Sequence, residues 1–334
     1  MNFKELSKSI LKVVLPLFFG VALFWYLYRQ VDMNAIWHVL KEGVKYDVLC
    51  ISLLFGAAAN VIRGYRWNLL IKTLGEKPRK INLICAVLGS YAINLILPRI
   101  GEFWRCGVIT QYEHISYSKL FGTLVIDRLA DTITVGLLVL SIFTFNIDFF
   151  SRFFVDHPDL LTGFHKFIDS SWVYIIICAL AALAWIVIRY FKHVAVVARI
   201  IDVIRNIWTG IKTVWYMKEK FMFLLCTAGI WIGYFFFFYT TFYAFDFTKD
   251  LGVDIGLIAF AMSSVGVAVP VQGGIGPWHF MVISTLVCFG VTNLDASAFA
   301  LIVHGVQTIW TGLVGLAAII ALPLINKKSV KSNN

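Results

Sequence analysis

Long apolar runs separated by short polar segments dominate the chain, and this pattern predicts an all-helical membrane protein with several spans. A transmembrane helix needs about 20 mostly apolar residues. Runs of suitable length and composition occur at 13–28, 48–71, 119–145, 172–190, 221–245 and 297–322. Two further apolar regions, 81–112 and 254–291, are each interrupted near the centre by proline and glycine. The pattern predicts six full spans and two segments of another kind.

The distribution of lysine and arginine predicts how the chain crosses the membrane, because cytoplasmic loops collect these residues. The basic segments are the two termini, 72–80 and 189–220, and the acidic ones are 146–171 and 246–254. The basic segments all lie on the cytoplasmic side, and the acidic ones on the other side, only if each interrupted region begins and ends on the same face of the membrane. We therefore expect two re-entrant helical hairpins that enter from opposite faces, with both termini cytoplasmic. Opposed hairpins indicate an inverted pseudo-repeat, and transporters with such repeats bind their substrates near the midplane at broken helices.

Composition supports a single integral membrane domain over 1–334. Of the 334 residues, 60% are hydrophobic and 14% are charged, whereas soluble domains are about half apolar and about a quarter charged. No stretch is long and polar enough for a soluble domain of ordinary size. In the segment 195–217, polar residues recur at every third or fourth position, which predicts an amphipathic interfacial helix on the cytoplasmic side.

The charge and the motif content restrict the function classes. A net charge of +10 indicates contact with anionic lipid headgroups rather than nucleic acid, although an ordinary excess of Lys and Arg in cytoplasmic loops is the simpler explanation. The six cysteines form no CxxC pair, so no metal or redox site is predicted. We find no HExxH, GxSxG or P-loop motif. We expect no cofactor and no metal, and we favour a transporter over an enzyme.

Charged residues inside apolar segments are the first candidate functional residues. Each costs about 2.5–3.5 kcal/mol on insertion scales and usually faces a cavity or a partner. Arg63 and Arg66, near the inner end of 48–71, are three positions apart and share a helix face, with Asn60 one turn earlier. The alternative is that their long side chains snorkel to the inner headgroups.

The stretch NLILPRIGEFWR interrupts the first region and holds further candidates. These are Asn94, Arg99, Glu102 and Arg105. Pro98 and Gly101 break the helix, and a break at membrane depth must be buried in protein or line a wet cavity. Arg99 and Glu102 could simply pair, but two arginines against one glutamate leave a positive excess. Arginine is the preferred residue for bidentate phosphate recognition, so this tip is a candidate phosphate site.

The stretch VIDRLADTI places three charged candidates inside 119–145. Asp127 and Asp131 are four positions apart and share one helix face, and Arg128 lies beside them. The two carboxylates could hold the arginines in place, accept a proton or bind a cationic headgroup. The alternative is a network of aspartate and arginine that only stiffens the helix bundle.

The stretch AVPVQGGIGPWHF interrupts the second region. Its candidates, together with one residue of the last span, are Gln272, Gly273, Gly274, Gly276, His279 and His304. The glycines allow positive φ angles, and Pro277 suits the first turn of a following helix. The N-terminus of that helix presents free N–H groups and a partial positive charge, which suit an anion. A lone histidine in a membrane segment is more often simply hydrogen-bonded, which is the alternative for His304.

Four ordered motifs, RGYRW, NLILPRIGE, DRLAD and VPVQGGIGPWHF, resemble the lysylphosphatidylglycerol synthase transmembrane region family. The resemblance covers about residues 10–325 and includes the flippase-like membrane domain of the bacterial multiple peptide resistance factor. It implies a bacterial inner-membrane protein that acts on phospholipids or related lipid-linked molecules. The charged residues that match the family motifs are Arg99, Glu102, Asp127, Arg128 and Asp131. His279 departs from the family, which usually has glutamate at this position.

The leading hypothesis is a lipid translocase or lipid-binding transporter whose hairpin tips meet near the midplane and hold an anionic headgroup. The chain ends shortly after the last apolar run, so we expect no aminoacyltransferase domain and do not extend lysyl transfer to it. One alternative is a membrane-embedded aminoacyl or glycosyl transferase that acts on a lipid, since the resemblance links related archaeal proteins to lipid-linked sugar transfer. Another is a scaffold for a separately encoded lipid-modifying enzyme. A homo-oligomer is left open, and no nucleic-acid partner is expected.

Overall fold

The computed structural model describes residues 21–29, 32–147, 149, 153, 155, 162 and 217–330, and the architecture of this part of the chain is all-helical. The helices are α1 Met33–Glu42, α2 Tyr46–Lys72, α3 Lys80–Ile96, α4 Ile100–Glu113, α5 Tyr117–Phe145, α6 Lys220–Tyr239, α7 Val253–Ala268, α8 Pro277–Cys288 and α9 Asn293–Val330. Residues 21–28 are also helical. Short 3₁₀ turns occur at Thr240–Ala244 and Gln272–Gly274.

Three helices among the described residues are long and apolar enough to cross a membrane, namely Tyr46–Lys72, Lys220–Ala244 and Asn293–Asn326. They confirm the predicted helices at 48–71, 221–245 and 297–322. The helix α5 has 29 residues and covers the predicted segment 119–145. The predicted span 172–190 and nearly all of the predicted interfacial helix 195–217 lie outside the described residues. The chain is a helical membrane protein, and the total of six spans stays a prediction.

The chain divides into two compact units, Met1–Ile142 with Lys218–Asn334, and Phe143–Met217. In the second unit, the described residues include two buried phenylalanines, Phe149 and Phe153, whose ring centroids are 5.8 Å apart. The first unit contains every candidate residue predicted from the sequence.

The first interrupted region folds into a helical hairpin of α3 and α4. The helices are broken at Leu97, Pro98 and Arg99, and Arg99 adopts a left-handed conformation with φ 65°. Gly101 lies against the carbonyl oxygen of Ser90, where a Cβ would clash with the backbone. Near the other end of the hairpin, the Asn82 amide donates a hydrogen bond to Glu113. The two ends of the hairpin therefore lie together, and its re-entrant insertion into the membrane stays a prediction.

The second interrupted region folds into a helical hairpin of α7 and α8. Its glycines Gly273, Gly274 and Gly276 have φ values of 59°, 78° and 92°, which confirms the predicted positive φ angles. Pro277 is the first residue of α8, also as predicted. The helices pack closely, since a Cβ on Gly266 would lie 2.7 Å from the Cα of Trp278.

The helix α9 contacts both hairpins, each at a different part of its length. The second hairpin lies near its beginning, where His304 Nε2 is 2.8 Å from the Gly273 carbonyl oxygen. The first hairpin lies near its end, where Asn326 and Asn82 exchange hydrogen bonds of 2.9 and 3.0 Å. The break of the first hairpin and the break of the second approach each other alongside α9, between His304 and Asn326. A Cβ on Gly273 would lie 3.6 Å from Leu95 Cδ2, so the hairpins are arranged tip to tip.

The helices α2 and α6 pack antiparallel along most of their length, since Asn60 pairs with Tyr234 and Lys72 with Glu219. Two apolar cores lie along α2 and α9. One core surrounds the second hairpin and includes Leu49, Trp278 and Phe299. The other surrounds the first hairpin and includes Trp67, Leu83, Cys106, Leu120 and Leu322. Each hairpin thus has its own core.

Candidate functional site

A buried cluster of charged side chains joins α2, α4 and α5, and we call it the arginine cluster. Its members are Arg63, Arg66, Glu102, Arg105, Asp127, Arg128 and Asp131. All seven were predicted as candidate binding residues from the sequence. The side chains of Arg66 and Asp127 are fully buried, with exposed fractions of 0%. Charges so far from water must be paired or hydrogen-bonded, and the pairing shows how the cluster is built.

Asp127 lies at the centre of the arginine cluster. Its carboxylate oxygens are 2.7 Å from Arg66, 3.1 Å from Arg105, 3.2 Å from Arg128 and 3.9 Å from Arg63. Arg66 also donates a hydrogen bond of 3.1 Å to the Asp127 backbone carbonyl. One carboxylate therefore connects two arginines of α2 with one from the first hairpin.

Asp131 lies one turn further along α5 and binds the same two arginines of α2. Its carboxylate pairs with Arg63 and lies 2.7 Å from Arg66 and 3.3 Å from Arg128. The two arginines lie on one face of α2, and the two aspartates lie on one face of α5, as predicted. Arg63 and Arg66 contact Asp127 and Asp131 across the interface between these helices. The carboxylates thus hold the arginines in fixed positions, which is one of the roles predicted for them.

Polar and aromatic side chains surround the cluster. Arg63 Nε lies 3.4 Å from the Tyr234 hydroxyl, which in turn contacts the hydroxyl of Tyr91 at 3.0 Å and donates to Asn60 at 2.7 Å. The guanidinium of Arg105 lies over the Trp67 ring, 4.6 Å from its centroid. Stacking on an aromatic ring suits the planar guanidinium and stabilises a desolvated cation.

Sequence reasoning missed Tyr91, Tyr234 and Thr227 as parts of this site. Thr227 accepts a hydrogen bond of 3.3 Å from Arg66. All three lie within apolar helical stretches that contain many aromatic or small residues, so their types alone did not distinguish them. Their polar groups could have identified them, because a tyrosine or threonine hydroxyl inside an apolar membrane segment needs a hydrogen-bond partner.

Arg128 is the most accessible arginine of the cluster. Its side chain is 32% exposed and lies 3.5 Å from Glu102, which is 26% exposed. The Nε atoms of Arg128 and Arg105 are buried and have no hydrogen-bond partner within the described part of the chain. Four guanidinium groups face three carboxylates, which leaves one positive charge in excess. The cluster thus carries an excess positive charge, and the partly exposed Arg128 side chain brings charge to its accessible side, which suits an anion.

Arg99 and Asn94 were also predicted as candidate binding residues, but the structure places them apart from the arginine cluster. The Arg99 side chain is exposed and makes no ion pair or hydrogen bond with any described residue. Arg99 and Glu102 therefore do not pair. Asn94 accepts a hydrogen bond of 2.8 Å from the Gly101 backbone N–H, which caps α4. Its observed contact thus stabilises the break between α3 and α4.

The predicted candidates of the second hairpin form a separate group around His279 and His304. The two imidazole rings are 4.6 Å apart, and His279 also packs edge-on against Phe24 and Tyr28. His279 Nδ1 lies 3.4 Å from the Gly276 N–H, at the N-terminus of α8. Gln272 is buried in the same region. Both histidines are hydrogen-bonded, as the alternative reading of His304 expected.

No group of three or more potential metal ligands occurs within the described ranges. The chemistry available at the arginine cluster is that of guanidinium and carboxylate groups, with phenols at its edge. Such a set binds and orients anions by charge and hydrogen bonding.

Comparison with known proteins gives two findings. A family model described as the lysylphosphatidylglycerol synthase TM region matches residues 13–315. A UPF0104 membrane protein of Methanocaldococcus jannaschii is 27% identical over 177 residues, which cover 51% of this chain and 47% of that relative. The match thus spans about half the length of the relative. No solved structure matches the chain.

Proposed function

Because the chain belongs to the lysylphosphatidylglycerol synthase TM region family, we propose that it translocates an anionic lipid across the bacterial inner membrane. The cargo is a phospholipid or a related lipid-linked molecule. The arginine cluster binds the phosphate of its headgroup, while the acyl chains stay in the bilayer. The termini lie on the cytoplasmic side, as the loop charges predict.

The observation that carries this proposal is the uncompensated positive charge at the exposed side of the arginine cluster. Ionisable residues inside a membrane are costly, and they mark substrate and ion pathways. A purely structural network needs no excess charge, because equal numbers of arginines and carboxylates would neutralise each other. The side chain of Arg128 is 32% exposed and places a guanidinium group on the side where the cluster is accessible. A phosphate bound there would compensate the excess charge.

The first experiment measures headgroup translocation in proteoliposomes. Wild-type protein is expected to accelerate the movement of fluorescently labelled phosphatidylglycerol between leaflets, measured by quenching of the outer leaflet with dithionite. Arg128→Gln should slow this movement about tenfold, the loss expected for one hydrogen bond to a charged group. Lys77→Gln removes the same charge from an exposed loop position and should leave the rate unchanged. Wild-type protein that does not accelerate the movement would contradict the proposal.

Arg99→Gln distinguishes the cluster from the hairpin tip as the phosphate site. Arg99 is exposed and lies apart from the ion pairs, so its replacement should change the translocation rate by less than about twofold, within the range of surface substitutions. If Arg99→Gln abolishes translocation while Arg128→Gln does not, the phosphate binds at the tip instead.

The transferase and scaffold alternatives predict other outcomes in cells. Lipid mass spectrometry of a deletion strain should show all lipids at normal abundance, with one class altered in its distribution between leaflets. Loss of a modified lipid would instead support a transferase or a scaffold for one, and co-purification of a lipid-modifying enzyme would identify the scaffold.

A further inference from the structure

A groove of about 560 Å³ lies between the C-terminal half of α2, the beginning of α3 and the beginning of α6. It is distinct from the arginine cluster but lies next to it. Cys226 lines the groove, and the adjacent residue Thr227 accepts the hydrogen bond from Arg66. None of the residues that line it was predicted as a binding residue.

Charged side chains lie at one end of the groove. Lys72 contacts both carboxylate oxygens of Glu219 at 3.2 Å, so these two charges neutralise each other. Lys80 lies over the Tyr65 ring, 5.3 Å from its centroid, and makes no ion pair with any described residue. The groove therefore carries one uncompensated positive charge, which matches an anion with a single negative charge.

Asn68 supplies a polar group in the wall of the groove. The residue is 4% exposed, and its amide makes no hydrogen bond to any described residue. The amide nitrogen and oxygen are not fully buried, so they are accessible from the groove that Asn68 lines. An amide in this position can both donate a hydrogen bond to a ligand in the groove and accept one from it.

The remaining wall is apolar and is formed by Ile62, Leu69, Phe221 and Met222. Phe221 and Met222 are 75% and 48% exposed, so the groove is open along this side. The combination of one cation, one accessible amide and an apolar wall is amphiphilic. The open apolar wall can accept a hydrocarbon chain, while Lys80 and Asn68 supply the polar contacts.

We propose that this groove binds one glycerophospholipid with a singly charged phosphodiester headgroup. The phosphate lies at Lys80, Asn68 hydrogen-bonds to the headgroup or the glycerol ester, and one acyl chain follows Phe221 and Met222. The class of ligand, an anionic phospholipid, rests on the proposed function. The groove adds a second binding site to the arginine cluster. The groove is the site where the lipid binds before its phosphate reaches the arginine cluster.

The test measures binding of fluorescent phosphatidylglycerol to the purified full-length protein in detergent. Lys80→Gln and Asn68→Leu should each raise the Kd about three- to tenfold, since each removes one polar interaction. Asn68→Leu keeps the number of side-chain heavy atoms and the branch at Cγ and removes an amide that has no described partner, so the variant should fold normally. Lys77→Gln is the matched control, because it removes a charge three positions before Lys80 and outside the groove. Unchanged Kd values for both groove variants would overturn the proposal.

Two further measurements identify the ligand. Glycerophosphoglycerol, the same headgroup without acyl chains, should compete at least about a hundredfold less well, because it cannot bury methylene groups. Equal competition would show that the groove binds a soluble phosphodiester and would overturn the lipid assignment. A photoreactive amino acid in place of Met222 should capture the lipid, and capture of residues 172–216 of the same chain instead would also overturn it.

These outcomes separate the groove from the proposed translocation. If the Kd depends on Lys80 and Asn68 but proteoliposomes show no headgroup movement, the groove stands and the translocase proposal fails. If headgroup movement is observed and neither binding nor movement changes in Lys80→Gln and Asn68→Leu, the translocase stands and the groove fails.

Discussion

Asp127 compensates more positive charge than any other described residue, so its own charge should be important for stability. Asp127→Asn keeps the size of the side chain but leaves four buried or partly buried arginines with two carboxylates. Removing one partner of a buried ion pair typically costs about 3–5 kcal/mol. We expect a clearly lower midpoint of thermal unfolding in detergent.

Asp250→Asn provides the control for this prediction. Asp250 is exposed in the loop before α7, and exposed ion pairs contribute only about 0–1 kcal/mol. Its replacement should leave the midpoint nearly unchanged. Equal shifts in the two variants would show that Asp127 is not the centre of a stabilising network.

The sequence predicted which charges share a helix face but not all of their partners. Arg63 with Arg66 and Asp127 with Asp131 follow directly from helical spacing, because the backbone geometry of a helix is regular. Whether Arg99 or Arg105 reaches the arginine cluster depends on the backbone dihedral angles at the break between α3 and α4. A left-handed Arg99 and a cap at Asn94 set the direction of α4, and composition does not determine these angles.

At the scale of the helices, the first hairpin depends on a close approach at Gly101. A Cβ at this position would clash with the carbonyl oxygen of Ser90, and overpacking of this kind usually costs about 1–3 kcal/mol. We therefore expect Gly101→Ala to lower the midpoint of thermal unfolding and to reduce the proposed headgroup translocation, since Arg105 on α4 would shift away from Asp127.

Gly107 offers a matched control in the same helix. A Cβ there meets no atom within 4 Å, and alanine is favoured over glycine in a helix interior by about 0.5–1 kcal/mol. Gly107→Ala should leave stability unchanged or raise it. A loss of stability in Gly107→Ala as large as in Gly101→Ala would mean that the helix α4 tolerates no alanine, irrespective of hairpin packing.

The breaks themselves were predictable, whereas the contacts around them were not. Pro98, Gly273, Gly274 and Gly276 indicate interruptions through their known backbone preferences. Gly266, by contrast, lies inside a regular helix, and its importance comes from the approach of Trp278. Such a contact depends on where another helix packs, which local sequence does not encode.

At the scale of the molecule, the arrangement of loops leads to a prediction about membrane sides. Lys119, at the beginning of α5, lies 2.9 Å from Glu76 in the loop between α2 and α3. A re-entrant first hairpin therefore places Lys77 and Ser116 on the same side. Single cysteines at these two positions, in a cysteine-free background, should react with an impermeant maleimide only from the cytoplasm.

The loop between α6 and α7 should lie on the opposite face. A cysteine in place of the exposed Asp250 is expected to react only from the periplasm. Labelling of the Lys77 and Ser116 positions from opposite sides would show that 81–112 crosses the membrane once. Such a result would also reverse the predicted orientation of every later segment.

The contact between α3 and α9 contains very small side chains. Ala92 and Gly315 allow the two backbones to approach closely, since a Cβ on Gly315 would lie 2.6 Å from the Leu88 carbonyl oxygen. In the same interface, a Cβ on Gly312 would lie 3.4 Å from Leu95. At the other end of α9 the contact is aromatic, with the ring centroids of Trp278 and His304 4.9 Å apart. The absence of a side chain at Gly315 therefore sets the distance between α3 and α9, and any larger residue there would push the first hairpin away from α9.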